Sequence, residues 1–184
     1  MAMPLTVPRY TVDQVRAFPK DGNRYELLDG MLLVTPAPGN LHQCVVSNLL
    51  LLLLNQVARP GAGRVVSPGE LEVGKNLLLD PDILVYPVSY RPGTHWKFIR
   101  GWWLAVEVLS RSTRVYDREF KRPAYQALGV EEVWLVDPDS RTVEVWIPTA
   151  TAPVIVSDVI RWRPAALGSE VTIPLSNVFP ERSL

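Results

Sequence analysis

The stretch Trp102-Trp103-Leu104-Ala105-Val106-Glu107-Val108-Leu109 constrains this chain more than any other, because seven of its eight residues are apolar. A short, continuous apolar run without polar alternation reads as a strand covered on both faces, and such a strand needs packed layers on either side of its sheet. Glu107 stands inside it. An ionised carboxylate in that setting costs on the order of several kcal/mol unless it is paired, coordinated or neutralised. A sheet that covers this strand must therefore also bring Glu107 a partner.

The same conflict recurs one strand earlier, where Asp80 and Asp82 interrupt the apolar run Leu77-Leu78-Leu79-Asp80-Pro81-Asp82-Ile83-Leu84-Val85-Tyr86. Short connections favour neighbouring strands, so Asp82 and Glu107 are expected to meet at one sheet edge. Two converging carboxylates suit a hard divalent cation, Mg²⁺ or Mn²⁺, with the backbone carbonyl of Val108 as a further oxygen. An ammonium nearby would assist in stabilising phosphoryl charge, and Lys121, on the helical segment after the Glu107 strand, is the lysine best placed. Each residue also has a plainer reading: Asp82 as a strand-end turn residue, Lys121 as a solvated helix residue, Glu26 as a cap or cross-strand partner. His42 reads first as a helix residue in its opening turn.

The remaining chain supplies the layers. Thr11 and Gln14 have capping-box spacing for a short helix over 12–18, and Asp29-Gly30 between apolar runs marks a hairpin. A helix over 41–58 contains six consecutive leucines, 49–54, which leave almost no polar face and predict burial in the core or against a second subunit. The segment 64–73 reads as a strand interrupted at Pro68-Gly69, and 77–87 as a strand broken near Pro81. The segment 112–129 has helical pattern, with Pro123 expected to remove a hydrogen bond to Glu119 and kink it. Ser110, Ser112 and Thr113 suit its N-terminus, and Asp137 and Asp139 suit the turn of a second hairpin. The order predicts one α/β domain, residues 1–184, with a mixed sheet, helices on its faces and an added N-terminal hairpin.

Composition narrows the function classes. Nineteen basic residues balance nineteen acidic ones, so bulk charge draws the chain toward neither nucleic acid nor membrane. Cys44 is the only cysteine, excluding an internal disulfide. The leucine run falls short of the roughly 20 apolar residues that span a bilayer, giving the expectation of a soluble, cytoplasmic protein without a membrane partner. No glycine-rich phosphate loop is present, which disfavours nucleotide cofactors.

Pro81-Asp82, Glu107-Val108-Leu109 and Lys121 together resemble a variant of the PD-(D/E)xK nuclease signature, with the lysine moved from position 109 to the following helix. More specifically, "YELLDG", "HQ" at 42–43, "PDILV", "EVLSRST", "YDREFK", Tyr125, "GVEEVWLVDP" and "VEVW" resemble, in the same order, a restriction-endonuclease-like family abundant in cyanobacteria and thermophilic bacteria. The resemblance implies a restriction-endonuclease-like core and a site of Glu26, Asp82, Glu107 and Lys121, with His42 as an addition. Where relatives carry a Pro-acid pair before the third strand, this chain has Trp102-Trp103, implying a different rim to the site.

The function implied is metal-dependent hydrolysis of DNA phosphodiester bonds; the leucine run 49–54, which one sheet face cannot cover, separately gives the expectation of a homodimer or higher homo-oligomer. Asp82, Glu107 and Val108 would hold Mg²⁺ or Mn²⁺, and Lys121 and Glu26 would assist. Leu109 in the usual lysine position motivates an alternative, a nuclease-fold module that binds nucleic acid or a protein partner without turnover. A two-carboxylate glycosidase with Trp platforms is a third class, disfavoured by Lys121 and by the resemblance.

Overall fold

The computed structural model describes residues 7–181. A first helix, α1 (Val12–Arg16), starts at the expected capping box of Thr11 and Gln14. The hairpin β1 (Arg24–Leu28) and β2 (Met31–Thr35) turns at Asp29 and Gly30, whose φ angles of 51° and 77° are those of a tight turn suited to Asp-Gly. The long helix α2 (Asn40–Leu53) runs on into a π-helical turn, Leu54–Ala58. Strands β3 (Gly63–Val66), β4 (Leu71–Val73), β5 (Leu77–Leu79), β6 (Ile83–Pro87) and β7 (Leu104–Val108) follow. The next helical segment comprises α3 (Arg114–Tyr116), a π-helical turn (Asp117–Lys121) and α4 (Arg122–Ala127). Strands β8 (Glu132–Asp137), β9 (Thr142–Trp146), β10 (Val154–Val156), β11 (Val159–Trp162) and β12 (Val171–Pro174) come next, and a 3-10 turn, Leu175–Asn177, follows them.

Six strands form the main mixed sheet in the order β10-β9-β8-β7-β6-β3, parallel only between β7 and β8, whose crossover is the α3–α4 segment. β7 is buried at every position. Leu104, Val106 and Val108 face the cluster built with Val45, Val46, Leu49 and Leu53 of α2. Ala105 joins Leu109 and Tyr125 in the cluster on the opposite side. Alternation places Glu107 on that second side, so the strand covered on both faces is also the strand that aims a carboxylate between layers.

One stripe of the long helix packs into the core, and the 19 residues Asn40–Ala58 are long and apolar enough by length and composition to cross a membrane. Its Val45, Leu49, Leu53 and Val57 are fully buried, while Leu51 on the far side is 55% exposed. Six consecutive leucines wind round the whole helix, so one sheet face cannot cover them all.

Three sequence expectations change. The segments 64–73 and 77–87 are not single interrupted strands: β4 and β5 leave the main sheet and join the hairpin in a second sheet, β2-β1-β5-β4. The two breaks meet, Gly69 donating its N–H to Pro81 O at 2.9 Å and the Ser67 hydroxyl donating to Asp82 O at 2.7 Å. A Cβ on Gly69 would lie 2.2 Å from that of Leu84, so only glycine permits this crossing. Second, the hydrogen bond that Pro123 cannot make to Glu119 is accompanied by a widened turn that the pattern alone does not show: Arg122 N–H bonds Asp117 O, five residues back, just before the proline. Third, Trp102 and Trp103 are 2% and 4% exposed and belong to the cores on opposite sides. They precede β7, at the end away from Glu107, so they do not rim the site.

Candidate active site

β6 and β7 pair antiparallel with Ile83 opposite Val106, which sets Asp82 opposite Glu107 at the sheet end. The Val108 N–H donates to Asp82 Oδ2 at 2.9 Å, tying the carboxylate across the strand pair. His42, in the first turn of α2, brings Nε2 to 3.0 Å from the same oxygen. Arg24, at the start of β1, donates from Nη1 to Asp82 Oδ1 at 3.1 Å and to Asp80 O at 3.2 Å. The second sheet thus contributes as much to the site as the first.

Its other contribution is Glu26, wholly buried. In β1, Leu27 packs into the small core with Val12, Val15 and Leu78, so alternation turns Glu26 to the opposite face, toward the main sheet. Glu26 Oε1 accepts from Asp80 N at 2.9 Å and lies 2.8 Å from Lys121 Nζ. Lys121 Nζ also reaches Glu107 Oε1 at 3.0 Å and Asp117 Oδ1 at 3.6 Å, and its side chain is 3% exposed. The widened helical turn sets Asp117 and Lys121 on one buried face. Tyr125, one turn on, donates its hydroxyl proton to Glu107 Oε1.

The electrostatics follow from this packing. Burial pushes the Glu107 carboxyl well above its usual range; Lys121 opposes the rise, while Asp117, Asp82 and Glu26 add to it. Asp82 lies below its usual range despite burial, held there by the hydrogen bond and charge of His42, then by Arg24 and the Val108 N–H. Burial disfavours the Lys121 ammonium, but Glu107, Glu26 and Asp117 outweigh it and raise its pKa. Burial, with Glu26 and Glu70, lifts Asp80 to about 7. Two strand-end carboxylates are driven apart, one kept ionised and one biased toward the proton, an arrangement characteristic of reactive sites.

These groups line a pocket of about 100 Å³ bounded by Arg24, Glu26, His42, Asp82, Glu107 and Lys121, with Asp117, Val108 and the loops 35–39 and 110–113. Among the described residues, no three Asp, Glu, His or Cys side chains stand ready-made as a metal cluster. The chemistry of the donor set nonetheless fits a hard divalent ion. Among the described residues, four carboxylates, Glu26, Asp82, Glu107 and Asp117, face two permanent cations, Arg24 and Lys121, within one pocket. Glu26 Oε2 is buried there without a hydrogen-bond partner among the described residues. Once all four acids are ionised, as metal binding by Glu107 would require, a +2 charge would balance them, with oxygen donors of the type Mg²⁺ and Mn²⁺ take.

All four side chains expected from the sequence, Glu26, Asp82, Glu107 and Lys121, therefore line one pocket, and Val108 joins them through its backbone. Arg24, Asp117 and Tyr125 were not foreseen as contacts of the site. Arg24 is signalled only by preceding Glu26 by two, whereas Asp117 and Tyr125 lie within the motifs that carry the resemblance and recur with Lys121 at helical spacing. The hydroxyls of Ser110, Ser112 and Thr113 bond one another at the start of the helical segment, Ser110 Oγ accepting from Thr113 N. Asp137 accepts from Asp139 N in the hairpin turn, as expected.

Residues 12–184 match the model of the family described as "Uma2: Putative restriction endonuclease". The crystal structure of a nuclease from Anabaena variabilis, described as putative and as belonging to DUF820, superposes with a TM-score of 0.75. It shares 20% identity, with 92% of this chain and 97% of that chain covered, a likeness that establishes the restriction-endonuclease-like fold. No curated protein matches the chain.

Proposed function

This chain belongs to the Uma2 family, and from that premise we propose that it is a divalent-metal-dependent endonuclease hydrolysing DNA phosphodiester bonds. A single observation carries the reading: Lys121 is buried between Glu26 and Glu107 at the sheet end where Asp82 stands opposite Glu107. Asp82 and Glu107, with the Val108 carbonyl, would hold Mg²⁺ or Mn²⁺. Such an ion, when bound, supplies a polarised phosphoryl oxygen and a bound water of lowered pKa. Lys121 keeps its proton and points an ammonium at the same volume, where it donates to the attacking water or to a non-bridging phosphate oxygen. Glu26 and Tyr125 act as positioning residues, fixing the ammonium and the Glu107 carboxylate respectively.

The test is incubation of supercoiled, linear and branched DNA with the protein, with and without Mn²⁺. Metal-dependent cutting that Glu107→Gln abolishes is the expected result. No cutting of any substrate, or undiminished cutting by Glu107→Gln, defeats the reading. A second reading, a nuclease-fold module that binds without turnover, is favoured by one feature: Leu109, in the superfamily's usual lysine position, is buried in the core. Metal-independent DNA binding without cleavage would select it.

A further inference from the structure

We infer that Arg24 is a phosphate-binding residue that metal entry releases: its guanidinium neutralises Asp82 until a divalent ion takes that carboxylate, and then clamps the phosphodiester. The inference rests on the metal-dependent reading of the site and adds to it a residue and an exchange.

Asp82 and Glu107 each carry a protein cation, but the two cations differ in freedom. Lys121 is 3% exposed and held by three carboxylates, so an incoming ion cannot displace it without opening the core. The Arg24 side chain is 27% exposed, sits at the first residue of β1 and lines the open pocket. Its bonds to Asp82 and to the Asp80 carbonyl both use Nη1. Asp82 Oδ2 is already engaged by His42 and the Val108 N–H. Oδ1, the oxygen left for a metal, is therefore the one Arg24 occupies.

Charge favours the exchange. With four acidic and two basic side chains lining the pocket, a divalent ion reaches neutrality without expelling Arg24 from the pocket; only the contact with Oδ1 must break. The freed guanidinium then faces an incoming phosphodiester, whose two non-bridging oxygens match its planar fork of donors. The same side chain thus opposes metal binding and favours substrate binding, and these opposite signs separate it from a merely structural arginine.

Arg24→Met and Arg24→Lys test this. Calorimetric titration with Mn²⁺ alone should show Arg24→Met binding at least about fivefold tighter than wild type, since a competing cation is gone. Anisotropy of a labelled DNA duplex with Ca²⁺, a hard ion that takes the same oxygen ligands, should show Arg24→Met binding roughly tenfold or more weakly. Arg24→Lys keeps the charge but lacks the fork, so it should hold Mn²⁺ affinity near wild type and still lose DNA affinity. Unchanged or weaker Mn²⁺ binding by Arg24→Met, in wild-type protein that does bind Mn²⁺ and cut DNA, overturns the exchange alone. Unchanged DNA affinity in both variants overturns the clamp. If wild type itself neither binds Mn²⁺ nor cuts, the metal-dependent function falls and the inference with it.

Discussion

Lys121→Met is the perturbation whose size the structure fixes best. It removes an ammonium lying 2.8 Å from Glu26, 3.0 Å from Glu107 and 3.6 Å from Asp117, three carboxylates that are 0%, 2% and 3% exposed. Methionine retains most of the aliphatic stem, so packing changes little and the loss is electrostatic. Removing one partner of a buried ion pair costs about 3–5 kcal/mol, which in a domain of this size lowers the melting temperature by roughly 6–20 °C. Glu107→Gln should behave oppositely in chelator. Tyr125 keeps an acceptor, Lys121 keeps Glu26 and Asp117, and one of four clustered acids is gone, so stability equals or exceeds wild type by about 1–2 kcal/mol.

The pH dependence has a definite sign. The Glu107 pKa in the folded chain lies above its unfolded value, so the stability it contributes is present at low pH and is lost as pH rises through the folded value. Lys121 titrates far above the assay range, so it adds no slope between pH 5 and 8. The advantage of Glu107→Gln should therefore grow from pH 5 to 8, and the deficit of Lys121→Met should grow with it. Urea and thermal melts of wild type, both single variants and the double variant, in chelator at pH 5 and 8, measure these differences and the coupling between the sites. A Lys121→Met loss under about 1 kcal/mol at pH 8, or a Glu107→Gln variant markedly less stable than wild type in chelator, would refute the reasoning.

Asp80, raised to about 7 by burial and by Glu26 and Glu70, contributes stability that is fully present only below the ordinary carboxylate range and is lost as pH rises through the folded value; Asp80→Asn should match wild type below about pH 4 and melt progressively higher up to pH 8, by roughly 2–4 kcal/mol there. A difference that does not widen with pH counts against it. Gly69→Ala forces a Cβ to within 2.2 Å of the Leu84 Cβ and should cost about 1–3 kcal/mol or more, read as a lowered denaturant midpoint; an unchanged midpoint would show that the crossing relaxes freely. The exposed Leu51 side of α2 should mediate self-association, so sedimentation should give a homo-oligomer that Leu51→Glu converts to monomer, and monomeric wild type at micromolar concentration would end that expectation.

Local patterns were legible wherever they depend on near neighbours. The Thr11 capping box, the Asp29-Gly30 hairpin and the covered strand through Glu107 are set by residues a few positions apart. The Asp82–Glu107 pairing was legible because strands consecutive in sequence usually lie side by side, and β6 and β7 do so even across the long connection 88–103. The interruptions at Pro68-Gly69 and Pro81 were visible too, but their meaning was not. A break in an apolar run looks the same whether the strand bends or leaves for another sheet, and only the crossing of Gly69 over Leu84 distinguishes the two.

By itself, then, the sequence determined that this chain must cover a strand on both faces and find partners for the acids embedded in its strands, because burial of apolar area and the cost of unpaired charge act on every fold it could adopt. Which partners those would be was decided by tertiary structure. Arg24 meets Asp82 across 58 residues of chain, and Lys121 reaches Glu26 only because the second sheet swings β1 against the widened turn of the α3–α4 segment. Coulomb energy depends on distance in space and on local dielectric, and neither is written in the spacing of residues along the chain.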